Sequence, residues 1–127
     1  MFKETKAFSG FSVDNLAKAR QFYGEILGIR VSEVEEMPVL NLHISGSNDI
    51  LIYEKPNHEP ATFTILNFPV SDIEAAVKQL KNLGVTFESY DYPGLKTDED
   101  NISRGDGPLI AWFKDPAGNI LSVINTK

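Results

Sequence analysis

Phe11-Ser-Val13-Asp-Asn-Leu16-Ala-Lys-Ala19 and Phe68-Pro-Val70-Ser-Asp-Ile73-Glu-Ala-Ala76 align at a shift of 57 residues, apolar position upon apolar position. Farther along, Leu27-Gly28-Ile29 aligns with Leu83-Gly84-Val85 at a shift of 56, so one deletion inside the repeated element reconciles the two registers. Self-similarity at a fixed spacing means a duplicated structural unit, and reading one copy largely reads the other.

Each copy runs from an apolar stretch into a helix-start signal. In the first the signal is Asp14-Asn15; in the second it is Ser71 with Glu74 three residues on, the spacing of a capping box. Leu16, Ala19, Phe22, Tyr23, Ile26 and Leu27 then recur at helical spacing, as do Ile73, Ala76, Val77, Leu80 and Leu83, so each helix should bury one stripe. Gly28 and Gly84 stand where the chain must leave the helix through a left-handed residue. Three strands are predicted after the first helix, at Ile29 to Val34, Val39 to Ile44 and Ile50 to Glu54. After the second come Val85 to Glu88, Leu109 to Lys114 and Ile120 to Ile124. The expected fold class is α+β, two βαβββ modules in tandem with their sheets paired around a cavity. Residues 1–127 form one domain, module 1 covering about 6–55 and module 2 about 61–127, with the proline-containing Lys55 to Pro60 segment as linker.

Composition narrows the function classes. A chain of 127 residues with 42% hydrophobic and 24% charged residues is an ordinary globular domain. Twelve Lys and Arg against eighteen Asp and Glu leave a net charge of -6, which repels a phosphate backbone, so no nucleic-acid partner is expected. There is no cysteine, which removes disulfides, thiolate metal sites and thiol nucleophiles. Met1 to Lys6 is followed by no apolar run, so neither a signal peptide nor a membrane span is expected and the cytoplasm is the default location.

Val13-Asp-Asn15-Leu16 with Phe22-Tyr23 and Leu27-Gly28, the second Val70-Ser-Asp72, and the closing Trp112-Phe-Lys-Asp115-Pro116-Ala-Gly118-Asn119 resemble the vicinal oxygen chelate superfamily. This is the group of glyoxalase, bleomycin-resistance and extradiol-dioxygenase proteins. The resemblance covers nearly the whole chain. It implies the glyoxalase/bleomycin-resistance fold, a common homodimeric state, and, in enzymatic members, one divalent metal held by His, Gln or Glu from four strands. At the positions it implies, this chain carries Phe8 in the first strand, Ile65 (or Thr64 or Leu66) in the fifth, Ile52 or Glu54 in the fourth, and Ser122 in the last. One carboxylate among four is too few for Zn²⁺ or Fe²⁺, so no cofactor is expected. His43, in a middle strand, and His58, in the linker, are poor means of rebuilding such a site.

Other constellations weigh less. Asp98-Glu-Asp100-Asn101 resembles a calcium loop but has Ser103 and Leu109 where Gly and Glu are required. Ser9, Ser12 and Ser122 lie in no Gly-x-Ser-x-Gly elbow. Gly105-Asp-Gly107 precedes a strand rather than a helix and reads as a turn. The polar Asp91 to Gly107 stretch, with Tyr92-Pro-Gly94, reads as a lid or a dimer contact, with disorder as the alternative.

On the resemblance, the cavity draws on Phe8, His43, Ile52, Glu54, Ile65, Asn67, Trp112 and Ser122, with Tyr90 and Tyr92 from the loop. Such a lining suits an organic ligand; the plain alternative is that Phe8, Ile52, Ile65 and Trp112 pack together and leave no space. If Glu54 points inward, its charge needs a cationic ligand, Lys96, Arg104 or a proton; otherwise it ends its strand in solvent. The function expected is a metal-independent small-molecule binding protein, homodimeric, sequestering an amphipathic or cationic compound. The alternative is a lyase, isomerase or dioxygenase with a displaced metal site or with Glu54 as general base. A ligand-free interaction domain is the third class.

Overall fold

The structure, a computed structural model, describes residues 1–105 and 107–126. The chain forms two compact units, Met1–Pro60 and Ala61–Lys127. The architecture is α+β, as the repeat predicts, and the sheets are not closed.

The first unit contains β1 (Gly10–Val13), α1 (Leu16–Arg20) with a π-helical continuation (Gln21–Ile26), β2 (Arg30–Glu33), β3 (Val39–His43) and β4 (Ile50–Glu54). The sheet runs β1-β4-β3-β2, with β1 parallel to β4 and the other pairs antiparallel. Residues in register share one side of a sheet. One side therefore carries Phe11, Val31, Leu40, Leu42, Ile50 and Ile52. This side meets the helix: Phe11 touches the buried Tyr23 ring at 5.8 Å, and Leu40, Leu42 and Ile52 are fully enclosed with it. The opposite side carries Ser12, Arg30, Ser32, Val39, Asn41, His43, Leu51 and Tyr53.

The helix starts where expected, with Asn15 extended and its side chain accepting the Lys18 N–H at 3.0 Å. The π turn explains the change of register between the copies. From Ala19 to Leu27 is one residue more than from Ala76 to Leu83. The surplus residue is taken up where the Leu27 N–H reaches back to the Phe22 carbonyl, a bond spanning five residues instead of four. Gly28 still follows, at a φ of 70°.

The second unit contains β5 (Thr64–Val70), α2 (Ile73–Asn82), a two-stranded hairpin of β6 (Asp91–Tyr92) and β7 (Leu95–Lys96), then β8 (Ile110–Lys114) and β9 (Ile120–Asn125). The sheet runs β5-β9-β8, with β5 parallel and β8 antiparallel to β9. Its helix side carries Leu66, Phe68, Ala111, Phe113, Leu121 and Val123, and all but the first two are buried. Val77 and Ile73 of α2, with Val85, Phe87 and Ile102, add to the unit's buried apolar set.

Four expectations are corrected here. The cap of α2 is Asp72, not Ser71: Asp72 is extended and its carboxylate accepts the Ala75 N–H, while Glu74 turns instead to Arg104. Leu83 does not join the buried stripe and is half-exposed, because it forms the helix C-cap. Val85 to Glu88 shows strand-like alternation but only one bridge, Phe87 to Phe113. From Ser89 the chain departs, since Tyr90 and Thr97 exchange hydrogen bonds to start the hairpin. Finally, the disorder weighed as an alternative for the 91–107 stretch gives way to built structure in its described residues, while Asp106 of the expected Gly105-Asp-Gly107 turn lies outside them. One Asp98 oxygen accepts the N–H groups of Asp100 and Ile102, Ile102 is fully buried, and Arg104 ties Asp98 to Glu74 of α2.

Candidate functional site

The side of the second sheet away from α2 brings together Thr64, Asn67, Ile110, Trp112, Lys114, Ser122 and Ile124. Trp112 and Ser122 are directly paired across β8 and β9, and Asn67 pairs with Ser122 from the other flank. Here Ser122 is enclosed between two strands, and its hydroxyl donates to the Asn67 carboxamide oxygen at 2.5 Å. The Trp112 indole N–H donates to the Thr64 hydroxyl at 3.2 Å. Both polar partners are supplied by β5, so the Trp112 N–H and the Ser122 hydroxyl are satisfied within one unit.

The hairpin adds the remaining rings. Tyr90 stands edge-on to Trp112, with centroids 5.5 Å apart and planes at 78°, and Tyr92 lies 6.1 Å from Tyr90. An edge-on ring directs its positive rim at the π face of its neighbour, which adds about 0.5–1.5 kcal/mol to the burial of the pair. Burial raises the Tyr90 hydroxyl pKa, with Glu88 adding to the rise and Lys114 opposing it, so the phenol stays neutral at physiological pH. Beside it, Tyr92, Pro93, Leu95, Lys96, Thr97 and Arg104 line a surface cleft of about 510 Å³. Thus five sequence-predicted residues, Asn67, Tyr90, Tyr92, Trp112 and Ser122, are joined on one face. Thr64 is the addition that sequence reasoning treated only as a possible metal position. Ile65 falls in the register shift between Thr64 and Leu66.

In the first unit the predicted residues separate. Phe8 precedes β1 and is 67% exposed. Ile52 and Glu54 share a side, as strand alternation requires, but it is the helix side. Ile52 is fully buried in the core. Glu54 is exposed, and its carboxylate accepts the Leu16 N–H at 2.9 Å, capping α1. The expected partners for that carboxylate are engaged elsewhere: Lys96 with Asp91, and Arg104 with Asp98 and Glu74. The same contact recurs in the other copy, where Asn125 at the end of β9 accepts the Ile73 N–H at 2.9 Å. His43 is on the side of the sheet away from the helix, and His58 Nδ1 lies 2.7 Å from the Ser12 hydroxyl.

The positions implied for a metal therefore present an exposed phenyl ring, a strand irregularity, a buried isoleucine followed by a helix-capping glutamate, and a buried serine. That donor set does not fit a divalent ion. Among the described residues no group of three or more His, Asp or Glu side chains is suitably gathered elsewhere. None of the described helices is long and apolar enough to cross a membrane.

The two repeated units, each a strand and a helix followed by further strands, fit one class of protein, and residues 8–123 match the Glyoxalase/Bleomycin resistance protein/Dioxygenase superfamily. The chain belongs to that superfamily. Among solved structures, TnmS3, an antibiotic binding protein from Streptomyces sp. CB03234, superposes with a TM-score of 0.72 at 18% identity, covering 100% of this chain and 99% of that one. A bleomycin-binding protein complexed with bleomycin superposes at 0.68 with 20% identity, covering 95% and 98%. The glyoxalase family protein from Enterococcus faecalis superposes at 0.69 with 24% identity, covering 98% and 99%. At these identities the likeness is one of fold. No curated protein matches the chain.

Proposed function

We propose that the protein binds an amphipathic or cationic organic compound, without a metal, on the aromatic face of its second unit, and acts as a cytoplasmic homodimer that sequesters this ligand. The observation that carries the reading is the Trp112–Tyr90–Tyr92 cluster set over the satisfied Ser122–Asn67 and Trp112–Thr64 pairs. With its oxygen engaged by Ser122, the exposed Asn67 side chain has, among the described residues, no partner for its amide N–H groups, which are left to orient a ligand. Ring faces attract cations, and the net charge of -6 adds a weak long-range pull in the same direction. Binding of bleomycin and of an antibiotic by two proteins of this fold supports the ligand class.

Trp112 is the only tryptophan, so its fluorescence reads the site. Titration with bleomycin and with thioflavin T, a planar aromatic cation, is expected to give saturable quenching that persists in EDTA. Tyr90→Ala should weaken it by about tenfold, the upper end of an edge-on ring contact. Failure of both compounds and of a broad cationic panel to saturate would reject the reading, and loss of quenching in EDTA would reject metal independence. Light scattering on the eluted peak tests the dimer.

A further inference from the structure

The first unit carries a second constellation on the side of its sheet away from the helix. His43 Nδ1 lies 2.9 Å from an Asp49 carboxylate oxygen, and His43 Nε2 lies 2.6 Å from the Ser32 hydroxyl. A carboxylate on one ring nitrogen sets the tautomer that leaves the other free to accept a proton from a hydroxyl. All three side chains reach solvent: Ser32 and His43 are half-buried and Asp49 is exposed. The strand register supplies the rest. Asn41 stands directly across from Ser32, and Arg30 directly across from His43, both on the same side of the sheet. Among the described residues neither side chain has a hydrogen-bond or ion-pair partner, so an amide donor and a guanidinium flank the hydroxyl.

A further donor follows from strand pairing. The Val34 N–H donates to the Val39 carbonyl. In an antiparallel ladder every second N–H points to the partner strand, so the Ser32 and Arg30 N–H groups face β3. The Glu33 N–H, from the residue after Ser32, points to the free edge, because β2 closes the sheet on that side.

We propose that Ser32, His43 and Asp49 form a nucleophilic triad that hydrolyses small, unhindered carboxylic esters, independently of the ligand site in the second unit. The Ser32 oxygen bonds to the ester carbonyl carbon while its proton passes to His43 Nε2. Charge on the carbonyl oxygen is met by the Asn41 amide or the Glu33 N–H. The ester C–O bond breaks, and the departing alkoxide takes the proton from His43 and leaves as the alcohol. Water then attacks the acyl carbon, gives one proton to His43, and releases the carboxylic acid as that proton returns to Ser32. Asp49 is a positioning residue. Leu51 and Tyr53 on the same side offer apolar surface to a short acyl group, and Arg30 favours an ester bearing a carboxylate.

The test uses the full chain with 4-nitrophenyl acetate as substrate and a fluorophosphonate as covalent probe. Turnover above buffer is expected, with a single adduct mapped to Ser32 by peptide mass spectrometry. Ser32→Ala should abolish both, and His43→Gln should lower the rate by about 10²–10⁴-fold, the usual range for a general base. Asn41→Ala should lower kcat by up to about 10²-fold. Asp49→Asn should lower the rate and remove the downfield imidazole Nδ1–H proton resonance while the melting temperature holds, a pairing that a merely structural aspartate would not produce. Because Ser32→Ala removes only a hydroxyl, unchanged circular dichroism keeps its result interpretable. No adduct, an adduct at Ser12 beside His58, or full turnover in Ser32→Ala would overturn the proposal.

Discussion

The recurrence of one contact in both copies, a polar side chain at the end of the last strand accepting the first helical N–H, makes a prediction whose size depends on burial. Asn125 holds the Ile73 N–H in a half-buried setting, whereas Glu54 holds the Leu16 N–H in an exposed one. Removing either acceptor orphans a backbone donor. Water can replace Glu54, so Glu54→Ala should cost about 0.5 kcal/mol, the low end for a lost cap. Water reaches the Ile73 N–H less readily, so Asn125→Ala should cost about 1–3 kcal/mol, the desolvation penalty of an unsatisfied buried donor. At about 4 °C per kcal/mol for a chain of this size, the melting temperatures should fall by about 2 °C and about 4–12 °C. Asn125→Asp keeps the acceptor and adds a charge that suits a helix N-terminus, so it should remain near wild type. Urea unfolding followed by circular dichroism measures all three. Equal losses for the two alanine variants, or a loss in Asn125→Asp as large as in Asn125→Ala, would refute the reasoning.

Ile52, fully enclosed on the helix side, is a core residue, so Ile52→Ala should destabilise by about 2–5 kcal/mol while leaving Trp112 quenching intact; loss of ligand binding at preserved stability would return Ile52 to a binding surface. Asp98 gives a pH dependence. Burial pushes its carboxyl up, but the Arg104 guanidinium and the N–H groups of Ile102 and Asp100 outweigh this and hold it below the usual carboxylate range. A carboxyl depressed in the folded state contributes stability that is full above its unfolded pKa of about 4 and is lost as pH falls through the folded value. The unfolding free-energy difference between wild type and Asp98→Ala should therefore be constant at neutral pH and shrink below about pH 4; a difference that grows on acidification would contradict the assigned sign.

Much of the fold was legible because it is written twice. The helix starts at Asn15 and after Val70, the left-handed Gly28 and Gly84, and the strands around Leu40, Ile52 and Val123 follow from patterns confined to a few neighbouring residues. The hairpin was not legible. Its strands are two residues each, too short for any periodicity, and its anchors, Thr97 to Tyr90 and Arg104 to Glu74, are contacts across sequence. The aromatic face was partly legible: the spacing from the Asp115 turn names Ser122 and the resemblance places Asn67 in the cavity wall, but Thr64, named only as an alternative to Ile65, joins the face through the β5–β9 register and its irregularity. Ser32, His43 and Asp49 carry no local signature at all. They meet because β2 pairs with β3 in one register, and a slip of one residue would put Ser32 on the opposite side of the sheet from His43.

The π turn between Gln21 and Ile26 also says what the repeat holds constant. The two copies differ here by a single residue, and the wider helical turn takes it up without sliding Leu27 and Gly28 along. The place where the chain exits toward β2 is kept, while the number of residues used to get there is not. For anyone inserting or deleting residues in this scaffold, that turn marks where the duplication has already tolerated an odd residue, with Gly24 against Val31 as the packing contact to respect.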